Sequence, residues 1–232
     1  MGMLRSLVDT FSQTLGKVKK NQRKSYPKNL VVKINLGCGL AVAPEWVNID
    51  GSLNSLVSNL PSFFHKIAYR LTGANRYYSE QEYCRLLGNH TFVHHDLSYG
   101  IPLNDNTVDF VYSSHFLEHL FLKDAQAILK ESFRVLKPGG VVRVSVPDLA
   151  YAVKIYMQGQ KREMLENYFF VNDDDSYYAR HKYMYDFSIL SAELEKAGFR
   201  NIMQCSFQHG ATPDLKILDN REEESLFVEA MK

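Results

Sequence analysis

Leu30-Val31-Val32-Lys33-Ile34-Asn35-Leu36 runs straight into Gly37-Cys38-Gly39, and Trp46-Val47-Asn48-Ile49-Asp50 follows. These residues decide the fold. The first run is a short apolar segment broken by glycines, the pattern of a strand buried on both faces. The second ends in an acid. Outward from this pair, Thr91 to Asp96, Val108 to Ser113 and Val141 to Val146 read as further strands, the last stopped by Pro147. Asp124 to Leu136 reads as a helix closed by Lys137-Pro138-Gly139-Gly140, and residues 187–197 as another capped by Gly198. Asn201 to Phe207 and Ser225 to Met231 are closing strands. Alternation of this kind predicts α/β architecture: a seven-stranded, mostly parallel, Rossmann-like sheet with helices on both faces and an antiparallel last strand. Residues 53–89 form a helical insertion and 151–186 a lid over the open end, within a single domain spanning 30–232.

Ligands of an open parallel sheet bind beyond the carboxyl ends of its strands, near the point where strand order reverses. Gly37 to Gly39, Asp50, Asp96, Ser113 to His115 and Pro147-Asp148 stand at those ends. Gly37 and Gly39 let the backbone turn sharply or approach a ligand. Asp50 can accept hydrogen bonds from a ribose diol. Val42 stands where G-x-G-x-x-G requires glycine, and no G-x-x-x-x-G-K-[ST] loop occurs. The loop therefore suits a nucleoside ligand without a pyrophosphate.

Composition bounds the rest. The chain has 232 residues, a formal charge of +1, 45% hydrophobic and 23% charged residues, which excludes a disordered or collagen-like chain. Cys38, Cys84 and Cys205 are odd in number and far apart, so neither a disulfide framework nor a zinc cluster is expected, and the expected compartment is reducing, the cytoplasm. Residues 1–29 form a basic, amphipathic segment with Leu4, Leu7, Val8, Phe11, Leu15 and Val18 on one face. Residues 1–33 carry eight basic residues against Asp9 alone, which leaves the remainder net acidic and argues against a nucleic-acid partner. That segment either packs on the body or on a second subunit of a homodimer, or docks to an anionic membrane surface or a partner protein.

Ile34-Asn35-Leu36-Gly37-Cys38-Gly39, Trp46 to Asp50, His95-Asp96-Leu97, Ser114-His115-Phe116-Leu117-Glu118-His119 and Val135-Leu136-Lys137-Pro138-Gly139-Gly140 together resemble the class I S-adenosylmethionine-dependent methyltransferases, and more narrowly the type 11 group. The resemblance covers about residues 31–150. It implies S-adenosyl-L-methionine as cofactor, with Gly37, Cys38 and Gly39 at its methionine part, Asp50 at the ribose, and His95, Asp96 and Leu97 around the adenine. Ser113 and Ser114 would line the methyl-bearing side. The implied reaction is methyl transfer to a hydroxyl of a sugar, polysaccharide precursor or small natural product. The alternative is a non-catalytic module of the same fold that recruits a partner enzyme. One feature departs from the family pattern: only ten residues separate Gly39 from Asp50, too few for a full crossover helix. The carboxylate of the ligand then needs another donor, and Arg70, Arg76, Tyr77 and Tyr78 are candidates.

The expected catalytic residues are three histidines. His115-Phe116-Leu117-Glu118-His119 matches H-x-x-E-H, whose histidines would share a helix face and could bind zinc. No third ligand is evident, so no metal is expected. His115 or His119 instead borders the transfer cavity, and His181, in the lid, is the first choice of general base. Seven of the fourteen tyrosines fall in 151–187 and form either the packing of the insertion or an acceptor wall.

Overall fold

A computed structural model describes residues 17–27, 29–169 and 180–232. Most of the basic N-terminal segment, Asp173-Asp174-Asp175, Tyr177 and Tyr178 lie outside the described residues. Seven strands form one sheet in the order β3-β2-β1-β4-β5-β7-β6: β1 (Lys33–Leu36), β2 (Val47–Asp50), β3 (Thr91–His94), β4 (Val108–Ser114), β5 (Leu136–Pro147), β6 (Arg200–Cys205) and β7 (Ser225–Met231). Only β7 runs against its neighbours, pairing antiparallel with β5 and with β6. Order reverses at β1, which carries β2 on one side and β4 on the other: Leu36 pairs with Ile49 and with Ser113.

The helices are α1 (Leu53–Val57), α2 (Ser62–Leu71), α3 (Glu80–Asn89), α4 (Leu122–Val135), α5 (Leu149–Met157), α6 (Lys161–Met164), α7 (Phe187–Ala197) and α8 (Leu215–Leu218). α3 starts with a capping box between Ser79 and Glu82. α7 starts where the Asp186 carboxylate accepts the Ile189 N–H at 2.8 Å, and stops at Gly198 in the left-handed region. α4 ends at Val135, and the chain enters β5 directly, so Lys137 to Gly140 begin a strand where a helix stop was expected. At the other end, Leu30 and Val31 are exposed, and pairing begins only at Lys33.

Alternation along the strands gives the sheet two unlike faces. Ile34, Leu36, Val111, Val142, Val144 and Val146 point into the main apolar core, which α4 and α7 cover. On the opposite face, Arg143 is fully buried. Its Nη2 donates to Asp219 Oδ2 at 2.5 Å, its Nη1 to Glu229 Oε1 at 3.3 Å, and the carbonyls of Ser206 and His209 accept from the same guanidinium. Tyr112 Oη donates to Asp219. Beside a small apolar cluster of Ala43, Trp46, Tyr112, Leu215 and Leu218, this ionic network fastens the 206–219 stretch and α8 beneath β4, β5 and β7. α1 to α3 build a third region, in which Val57, Ala68, Tyr83 and Leu87 pack with Cys38 from the glycine loop and Phe92 from β3.

The β1–β2 connection holds turns and no helix. Asn35 on β1 fixes it, donating from Nδ2 to the Ala41 carbonyl at 2.8 Å. Trp46 anchors its far end: the ring is fully buried, and Nε1 donates to Asp214 at 2.8 Å.

Candidate active site

At the reversal point, Gly37 leaves β1 with φ +62° and Gly39 follows with φ +52°. Their roles differ. A Cβ on Gly37 would lie 2.3 Å from the Phe116 ring, which stands against the loop from the end of β4. A Cβ on Gly39 would meet nothing within 4 Å, so this part of the loop presents bare backbone to open space. Asp50, at the end of β2, holds the loop. Its Oδ2 accepts the Gly39 N–H at 2.9 Å and its Oδ1 the Ser52 N–H at 2.7 Å. Each carboxylate oxygen offers two lone-pair sites. One on each oxygen is thus committed to backbone, and one on each remains for a diol. Cys38 turns the other way, into the core beside Tyr83, and burial together with the Asp50 charge pushes its thiol well up. It reaches a ligand by backbone only.

At the end of β3, Asp96 caps a single 3-10 turn, its Oδ1 accepting the Ser98 N–H at 2.9 Å, and Leu97 is buried in the main core. His95, expected beside the adenine, is turned elsewhere. Its ring is buried, Nε2 donates to the Gly100 carbonyl at 3.0 Å, and burial lowers its pKa. It braces the 95–100 turn.

The end of β4 carries the chemistry-bearing groups. Ser113 is buried between β1 and β5, and its hydroxyl has no hydrogen-bond partner within the protein. His115 is left-handed at φ +48°, its N–H held by the Ser145 carbonyl at 2.9 Å. That backbone breaks the helix expected over 115–119: only Leu117–His119 form a single 3-10 turn, so His115 and His119 do not share a helix face. Nε2 of His115 lies 3.1 Å from Ser225 Oγ at the start of β7, and its Nδ1 lies 3.3 Å from Glu118 Oε1. His119 and His181 are brought together, ring centroids 5.1 Å apart. The sequence missed Phe116 and Ser225, whose places depend on pairing across the sheet.

The aromatic segment divides. Tyr168 packs inside a small cluster with Ala152 and Ile155, and Tyr185 is buried in the main core, edge-on to Tyr183 at 5.1 Å. These tyrosines pack the body. Tyr183 remains half-buried at the strand ends.

Residues 55–144 match a family model described as a methyltransferase domain. Over that stretch the chain is similar to methyltransferase domains. No curated protein matches the chain. Among solved structures, a SAM-dependent methyltransferase from Archaeoglobus fulgidus is similar at 15% identity and a TM-score of 0.52, covering 97% of this chain and 94% of its own. A possible exported protein from Bordetella parapertussis is similar at 17% identity and a TM-score of 0.51, covering 99% and 68%. The S-adenosylmethionine-dependent methyltransferase SibL in its apo form is similar at 16% identity and 0.51, covering 96% and 55%. These likenesses share the fold. The residues at the reversal point fit S-adenosylmethionine, the cofactor that the sequence resemblance implies: open backbone at Gly39, a spare acceptor on each Asp50 oxygen, and the unpartnered Ser113 hydroxyl. Among the described residues no helix is long and apolar enough to cross a membrane.

Proposed function

We propose that this methyltransferase acts on a hydroxyl of a sugar, polysaccharide precursor or small natural product, with His115 as general base. The observation that carries this reading is the placement of His115. Its backbone is fixed at the carboxyl end of β4, and its imidazole is flanked by Ser225 and Glu118. A carboxylate beside Nδ1 favours the tautomer with hydrogen there, which leaves Nε2 to accept a proton. When bound, S-adenosylmethionine supplies an electrophilic methyl and a neutral thioether leaving group. Asp50 holds the ribose hydroxyls, and the Gly37–Gly39 backbone and Ser113 bound the methionine side. Nε2 of His115 takes the acceptor's proton as oxygen forms its bond to carbon. His181, the first choice from sequence, hydrogen-bonds the Tyr168 carbonyl through Nδ1 at 2.7 Å and lies with its ring against His119, whereas His115 directly follows the end of β4. The basic 1–29 segment is proposed to hold the enzyme at an anionic surface or against a second subunit.

The test is transfer of isotope-labelled methyl groups into a panel of saccharide and phenolic acceptors. His115→Gln is expected to lower single-turnover rate by about 10²–10⁴ while S-adenosylhomocysteine affinity holds. Unchanged turnover in His115→Gln with loss in His181→Gln would return the base to His181. Cofactor binding with no transfer to any hydroxyl acceptor would sink the acceptor class and favour a non-catalytic module.

A further inference from the structure

Glu118, His119 and His181 offer donor atoms within 4.8 Å of one another. Glu118 is fully buried, neither carboxylate oxygen completes a hydrogen bond, and the nitrogens beside Oε1 are Nδ1 of His115 at 3.3 Å and Nε2 of His119 at 3.8 Å. A charge removed from water and left without donors is strongly disfavoured unless a cation accompanies it. The two imidazoles are already oriented. Nδ1 of His119 donates to the Arg180 carbonyl at 3.3 Å, and Nδ1 of His181 donates to the Tyr168 carbonyl at 2.7 Å. A carbonyl accepts only, so each ring carries its hydrogen on Nδ1 and presents the Nε2 lone pair. Nε2 of His119 then faces Glu118 Oε1 across 3.8 Å, acceptor against acceptor. Outer hydrogen bonds of this kind, Nδ1–H to a backbone carbonyl, are how metal-bound histidines are commonly held.

The frame around the three groups is fixed. Lys182 N–H donates to the Glu118 carbonyl at 2.7 Å, and Lys182 Nζ to the His119 carbonyl at 2.6 Å. These bonds tie the 180–185 segment to the turn after β4, two stretches more than sixty residues apart in the chain. The sequence offered His115 as partner of His119; in the fold His115 lies between Ser225 and Glu118, and His181 joins Glu118 and His119 as the third ligand.

We propose that Glu118, His119 and His181 form a binding site for a divalent first-row metal ion of the zinc type, which clasps the 180–185 segment to the end of β4. Two imidazoles and one carboxylate are a common three-ligand set for zinc, with water in the fourth position. His119 and His181 are only part-buried, which gives water access to that position. Donors about 2.1 Å from a tetrahedral ion stand about 3.4 Å apart, so small side-chain rotations bring the present spread to coordination distance. The proposal stands whatever the methyl acceptor is.

The experiment is titration of the untagged, metal-stripped full chain with Co2+ as spectroscopic probe and with Zn2+ as competitor. One equivalent of Co2+ is expected to bind with visible ligand-field bands that Zn2+ abolishes, and to raise the unfolding midpoint. His119→Gln and His181→Gln, checked for folding by circular dichroism, are each expected to weaken binding at least about tenfold and to remove the bands. S-adenosylhomocysteine affinity should persist in both, so failure of the metal site and failure of the cofactor site read separately. Both variants keep Cys38, Cys84 and Cys205, so uptake at thiols survives in them. No stoichiometric uptake, or uptake that both folded variants retain, overturns the proposal.

Discussion

Gly37→Ala and Gly39→Ala place the same methyl group on the same loop, and the structure gives them different outcomes. Both glycines are left-handed, at φ +62° and +52°, where an L-residue costs about 1–2 kcal/mol. For Gly39 that strain is the whole stability cost, because nothing lies within 4 Å of the new atom. For Gly37 the methyl would sit 2.3 Å from Phe116 Cγ, so the ring must move. Forcing atoms into a packed site costs about 1–3 kcal/mol more, which brings Gly37→Ala to roughly 2–5 kcal/mol. Urea denaturation followed by circular dichroism measures both, with constant m as the check that only stability changed. Adding Phe116→Ala removes the two ring contacts and leaves Phe116 Cβ at 2.9 Å, so in that background Gly37→Ala should lose most of its excess cost over Gly39→Ala. Cofactor affinity should sort the other way round: Gly39→Ala fills the space its bare backbone opens to, and should weaken S-adenosylhomocysteine binding without much loss of stability. If Gly37→Ala costs no more than Gly39→Ala, or if Phe116→Ala leaves its cost unchanged, the loop does not rest on the Phe116 ring.

Asp50→Ala removes the ribose acceptors and strips two backbone N–H groups of their partner; at about 1.5–3 kcal/mol per charged hydrogen bond, calorimetry should show at least tenfold weaker S-adenosylhomocysteine binding, and unchanged affinity would place the ribose elsewhere. Arg143→Met leaves Asp219 and Glu229 buried without their cation, and should destabilise by about 3–5 kcal/mol; a cost near zero in denaturant titration would mean the network contributes nothing to holding the 206–219 stretch. His94 and His95 are held below their ordinary value near 6.5, first by burial. The unfolded chain therefore binds more protons as pH drops through 6.5, and stability should fall from there downward, before carboxylates titrate. His95→Gln should flatten that slope in denaturant midpoints measured across pH; an unaltered slope assigns it to other groups.

What the sequence determined by itself was local. The glycine loop after β1, the acid ending β2, the helix closed by Gly198 and the missing crossover helix between Gly39 and Asp50 were legible because each is fixed within a few residues by turn chemistry, capping or chain length. The left-handed backbone at His115 carried no such mark, since non-glycine residues adopt it uncommonly, and its support, the Ser145 carbonyl, lies on a neighbouring strand. Tertiary structure alone set the rest. It inserted β7 between β5 and β6, and it gave the alternation of Val142, Arg143 and Val144 its meaning, one face in the main apolar core and the other holding a buried ionic network. It laid Phe116 on Gly37, turned His95 inward to Gly100, and brought His181 to Glu118 and His119. Those contacts join groups far apart in the chain, and sequence periodicity reports only which face a side chain occupies, not what the folded chain places opposite it.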